Sequence, residues 1–195
     1  MMSEAMPDAV KPNASRDHEG AVKTRSFPLA YLITFTCYGA RLHGDAAGSV
    51  DRRHNLAGSD FLPPNPPWHT AEQEQMKQNL YELGAPQRTL VLQSLHAVCA
   101  HRKWMLLAAH VRVSHVHTVI AARVAPEKVL GDIKAYASRA LNRAGGEALN
   151  RLRWSRHGST RYLWKPEDVG AAMEYVVHRQ GAPLAVWENP NLPSW

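Results

Sequence analysis

Apolar residues recur along the chain in two rhythms, one of period two and one near 3.6, and their succession outlines a single folded unit. Residues 29–38 are apolar, rich in β-formers and closed by Gly39, which predicts a central strand. Residues 86–102 carry Leu90, Val91, Leu95 and Val98 on one helical stripe. Residues 104–113 read as a second strand, which either turns at Ser114 or runs on into a third strand ending near Ala122. Pro126 opens a helix to Leu141 whose buried side is Val129, Leu130, Ile133, Ala137 and Leu141. After a short strand at 160–164, Pro166, Glu167 and Asp168 mark the first turn of a last helix, stopped by Gly181 and Pro183. The order predicts an α+β, ferredoxin-like antiparallel sheet with helices on one face, plus a C-terminal helix.

The remaining segments lack either rhythm. Residues 1–26 are polar and aperiodic, as in a mobile tail; residues 27–190 form the one domain, and 191–195 a short end. Within the domain, 40–84 reads as an insertion. Its stretch 41–74 is loop by its breakers, Gly44, Gly48, Gly58 and the cluster Pro63-Pro-Asn-Pro-Pro67. Loops of that length are usually functional or disordered. With 45% hydrophobic residues in 195, the chain can build a proper core. Cys37 and Cys99, the only cysteines and without CxxC spacing, exclude a disulfide scaffold or zinc knuckle and read as buried thiols. No signal peptide or spanning segment is legible, so a soluble, cytoplasmic protein without membrane contact is expected. The formal charge of +6 suits a polyanionic partner.

Candidate chemistry lies in two places. His115, Val116 and His117 alternate on a strand, so both imidazoles point one way and the valine the other. Two neutral imidazoles held so close, with a third ligand from elsewhere, make a divalent-metal site able to polarise a phosphate. In the last helix Tyr175, His178 and Arg179 share a face by their i, i+3, i+4 spacing. A tyrosine beside a metal-bound phosphate can break a phosphodiester covalently.

The chain resembles the HUH tyrosine transposases of insertion-sequence 200 type, which include the REP-associated tyrosine transposases. The matching segments are Tyr31 to Gly39 with Leu42-His-Gly-Asp45, then Ala109 to His117, Lys134 to Arg139, Arg156 to Trp164, and Tyr175 to Gly181, in that order. The resemblance implies a DNA transposase active in transposition and recombination. Such an enzyme cuts single-stranded DNA, often beside a hairpin, and leaves a 5′-phosphotyrosine and a free 3′-hydroxyl. It places the metal ligands at His115 and His117 and the nucleophile at Tyr175. The family's third ligand stands four residues after the tyrosine, where this chain has Arg179, a guanidinium that cannot ligate a metal; Gln180 and His178 are the alternatives. Mg²⁺ or Mn²⁺ is the expected ion, although imidazoles would also accept Zn²⁺ or Ni²⁺.

Lys134, Arg139, Arg153, Arg156 and Arg161 are the candidate DNA contacts, with Trp164 expected to pack inward. Tyr38, Tyr136 and Tyr162 are rival nucleophiles outside the tyrosine-helix context. Two other readings stay open, a single-strand endonuclease or replication initiator and a domesticated, catalytically silent DNA-binding regulator. Monomer and homodimer are both compatible with the sequence.

Overall fold

A computed structural model of the chain describes residues 27–42, 44–45 and 63–195. Its elements are β1 (Ala30–Thr36), α1 (Pro66–Glu74), α2 (Ala85–Arg102), β2 (Met105–Val111), β3 (His115–Ala121), α3 (Pro126–Ala144), β4 (Ser159–Leu163), α4 (Pro166–His178) and β5 (Ala185–Glu188). The five strands make one antiparallel sheet in the order β4-β1-β3-β2-β5. The fold is thus the α+β arrangement that the two rhythms foretell, with the histidine-bearing strand in the middle and the first strand beside it. The N-terminal tail and, within the insertion, residues 43 and 46–62 lie outside the described residues.

Alternation along the strands separates two cores. Tyr31, Ile33 and Phe35 of β1 and Val116 and Ile120 of β3 meet Val91, Leu95 and Val98 of α2 and Val129, Ile133 and Ala137 of α3 in the larger one. On the other face Ala30, Leu107, Ala108, Val119 and Leu163 pack against Val169, Ala172, Met173 and Val176 of α4. A β-bulge between Leu106 and Ala108 lets both Leu107 and Ala108 join this second core. Each buried aliphatic or aromatic side chain contributes roughly 1.5–3 kcal/mol, so α4, with four such contacts, docks less firmly than the α2–α3 layer.

Helix ends follow local chemistry. Pro126 and Pro166 sit in the first turns of α3 and α4, where a missing N–H costs nothing. Lys103, at φ 56°, closes α2 in the left-handed conformation and frees Trp104 N–H to reach Cys99 O at 2.9 Å. Two elements went unread in the sequence. α1 lies in the stretch assigned to loop: its Pro66 and Pro67 are breakers inside a helix but permitted in its first turn, and Asn65 Oδ1 caps Trp68 N–H at 3.2 Å. β5, four residues long at the sheet edge, is too short to show a period.

Two cations expected on the DNA path are instead used inside the fold. Residues 150–158 run from α3 to β4 with few backbone partners of their own, and polar side chains supply them. Arg153 is buried, paired to Glu147 Oε2 at 2.8 Å and donating to Asn142 Oδ1 at 2.7 Å. Lys134 Nζ donates to the carbonyls of Ser155 and His157, both at 2.9 Å, and burial lowers its pKa to about 8. Trp154 Nε1 closes the set on Ser138 Oγ at 2.9 Å. Cys37 and Cys99 are buried free thiols, with pKa values pushed up to about 12 by that burial. Among the described residues no helix is long and apolar enough to cross a membrane.

Removing one partner of a largely buried ion pair leaves the other uncompensated, so Arg153→Ala should lower unfolding free energy by about 3 kcal/mol. Urea denaturation measures this. A change below about 1 kcal/mol, the ordinary worth of an exposed pair, would show that Arg153 does not anchor the segment.

Candidate active site

β3 presents the two imidazoles on the α4 face of the sheet. His117 lies opposite Thr34, and His115 opposite Thr36, in the ladder with β1. Their ring centroids stand 4.8 Å apart, edge to face. Each ring has its Nδ1 engaged by a hydroxyl, His117 with Thr34 Oγ1 at 2.7 Å and His115 with Ser114 Oγ at 3.1 Å. That leaves both Nε2 atoms for another partner, the arrangement in which metal-binding histidines are held.

α4 crosses this face with Val176 buried beneath it, and Tyr175 follows at the rim of the same surface. The tyrosine ring meets the His117 ring edge-on at 5.6 Å and stays 41% exposed, open to a ligand from solvent. Just past the helix, Gln180 Nε2 donates to Tyr175 O at 3.1 Å. Gln180 also lies near enough to His117 to raise its pKa against the lowering by burial. His115, His117, Tyr175 and Gln180 therefore converge. His178 does not join them: it is exposed, with Nε2 4.0 Å from Glu174 Oε2, and Arg179 Nε stands 3.6 Å from the same carboxylate.

The electrostatics suit a ligand set. Burial, then the Arg41, Arg112 and His110 charges, lowers the His115 pKa to about 4. Burial, then His115 and His110, lowers that of His117 to about 3 against the opposing pull of Gln180. Both rings are neutral at pH 7 and keep a lone pair to donate. Among the described residues no group of three His, Cys, Asp or Glu could hold a metal, so a third donor drawn from them would be of another type. The Gln180 amide oxygen is one, and two imidazoles with an amide oxygen fit a divalent ion.

Of the remaining candidates, Arg161 is exposed on β4 opposite Leu32, hence on the histidine face, and Arg156 is exposed just before that strand. Arg139 lies over the Tyr136 ring at 4.5 Å, on the α2–α3 side. Trp164, expected inside, is 52% exposed and stacked with Tyr162 at 6.3 Å, because among the described residues β4 is the edge strand of the sheet. Tyr162 faces away from the imidazoles, opposite Tyr31, and the Tyr38 hydroxyl accepts Lys77 N–H at 2.9 Å. Tyr175 is the rival that meets the pair.

Sequence reasoning missed Thr34, Arg41, His110 and Arg112. The last two had a signal: with a tight turn at 113–114, Arg112 N–H bonds His115 O at 2.8 Å and His110 pairs with His117, so positions 110 and 112 share the face of 115 and 117.

Scans of the sequence against protein-family models and curated proteins return no match. Two solved structures resemble the fold. A REP-associated tyrosine transposase bound to a REP hairpin aligns at 12% identity and TM-score 0.41, covering 90% of this chain and 70% of that one. A candidate transposase from Deinococcus radiodurans aligns at 11% identity and TM-score 0.41, covering 79% of this chain and 92% of that one.

The depressed imidazole pKa values link stability to pH. In the unfolded chain both rings take up protons near 6.5, while in the fold they resist to about 4 and about 3. Stability is therefore complete above 6.5 and is lost as pH falls toward the folded values. Thermal midpoints recorded from about pH 7.5 down to about pH 4 should drop, and drop less steeply in a His115→Asn/His117→Asn variant. Equal slopes in the two proteins would contradict the neutral, buried state.

Proposed function

We propose that this chain is a metal-dependent DNA strand-transferase of the HUH transposase type, acting on single-stranded DNA beside a hairpin. One observation carries the reading: a half-exposed tyrosine meets one of two adjacent neutral imidazoles, with the Gln180 side chain bonded to the backbone of that tyrosine. In the proposed reaction Tyr175 Oη attacks the scissile phosphorus in line, the bond from phosphorus to the 3′-oxygen breaks, and a 5′-phosphotyrosine forms. The tyrosine proton is lost and the departing 3′-oxygen gains one, so one phosphoester bond replaces another and a 3′-hydroxyl can reverse the exchange. His115, His117 and Gln180 would hold Mg²⁺ or Mn²⁺, which as a Lewis acid stabilises charge building on the phosphate. Thr34 and Ser114 hold the Nδ1 side of both imidazoles and so orient Nε2 toward the site. Arg41 and Arg112 add positive charge at the same place, since both disfavour protonation of His115. Arg156 and Arg161, both exposed, would contact the phosphates of the strand. Joining of cleaved ends separates a transposase from a single-strand endonuclease or replication initiator.

Incubation of a hairpin-bearing single strand with Mn²⁺ should trap a covalent protein–DNA adduct on denaturing gels. Tyr175→Phe should form none, and a His115→Ala/His117→Ala protein should lose at least ~100-fold in rate, the scale of a lost charge-stabilising group. An adduct with Tyr175→Phe would refute the assignment of the nucleophile.

Calorimetric titration of Mn²⁺ resolves the third ligand. Gln180→Ala should bind about 10-fold more weakly, and His178→Ala like the unmodified protein. The opposite ranking would return the role to His178.

A further inference from the structure

His110 of β2 stands beside His117 on the same face and takes no part in the chemistry above. It is fully buried, and its ring is used on both sides. Nδ1 donates to the carbonyl of Val176 at 3.1 Å, and Nε2 accepts Leu184 N–H at 3.3 Å. These bonds require one neutral tautomer, with the proton on Nδ1. Arg112 completes the arrangement: Nη1 donates to Ala182 O at 2.5 Å and lies 3.4 Å from His110 Nε2.

The gripped groups are those the backbone leaves over. The last four carbonyls of a helix have no partner within it. Tyr175 O is met by Arg179 N–H and by Gln180, whereas Val176 O is met by His110. Past the helix the chain turns through Gly181, at φ 74°, and reaches β5. The contacts at 176, 182 and 184 thus bracket Gln180, and the first adjoins Tyr175. Little else fixes this turn, since α4 rests on only four buried side chains.

Accepting that Tyr175 and Gln180 act at His117, we propose that His110 and Arg112 are positioning residues. Together they clamp the end of α4 and the turn after it to the sheet, and so set the tyrosine and the amide oxygen over the imidazole pair. Positioning errors near 1 Å cost roughly 100-fold in rate, so a clamp of this kind governs turnover more than DNA affinity.

The test uses His110→Ala, His110→Asn and Arg112→Met in the full chain. An asparagine amide N–H takes the place of Nδ1–H and retains the bond to Val176. Hydrogen exchange followed by mass spectrometry should quicken in His110→Ala over residues 174–186 while β1 and β3 stay protected. Adduct formation at saturating DNA and Mn²⁺ should fall about 10- to 100-fold at unchanged DNA affinity, with His110→Asn recovering most of it. Arg112→Met should weaken Mn²⁺ binding about 10-fold, and adding Gln180→Ala to it should cost nothing more. Unchanged exchange, or quickened exchange with normal adduct rate and Mn²⁺ affinity, overturns the proposal. If His110→Ala does not fold, His110→Asn and Arg112→Met decide the matter by the same readings. Should the unmodified protein form no adduct, the strand-transfer reading falls, while exchange and Mn²⁺ affinity still decide the clamp.

Discussion

Opposite orientation of successive side chains on β3 is the constraint on which the site depends. Val116 and Ile120 enter the larger core between Phe35, Tyr31 and the α2–α3 layer, and His115 and His117 are thereby turned to the α4 face. Burial of those two aliphatic residues supplies roughly 3–6 kcal/mol, all of it lost if the strand slips by one position. The slip would also drive both imidazoles into the hydrophobic layer. The register that stabilises the fold and the register that brings the imidazoles together are therefore the same register, held from both sides by β1 and β2.

Burial has a second effect on the pair. A desolvated imidazole avoids charge, and the nearby Arg41 and Arg112 reinforce that preference. The result is a surface whose positive charge resides on guanidinium groups while its rings stay neutral. Positive charge and free imidazole lone pairs are thus kept on different side chains.

Much of this was legible before any coordinates. The strand bearing His115 and His117, its neighbour β1, the helices opened by Pro126 and Pro166, and the tyrosine in the last of them all follow from period, proline placement and spacing. What stayed hidden depends on tertiary partners. Arg153 and Lys134 look in sequence like any basic residues beside tryptophan and histidine; only the route of residues 150–158 over the sheet makes them internal donors. Gln180 and His178 could not be told apart in sequence because which side chain lies beside His117 depends on how the chain leaves α4. Trp164 reads as inward until the strand order puts β4 at the edge. Pro66 and Pro67 hid α1, since a breaker and a first-turn proline are the same residue in different company.

The strand order also has a consequence for how the protein is made. Its two halves of chemistry emerge from the ribosome far apart, His117 first and Gln180 about 60 residues later, a lag of about 3–12 s at ordinary elongation rates. During that interval β1, β2 and β3 can already pair, but the outer edges of β1 and β2 await β4 and β5. The nascent sheet thus has two open borders, the condition under which strands recruit other chains. A chain halted before Pro166 would carry the imidazole pair and a sheet edge prone to association, yet have neither Tyr175 nor Gln180.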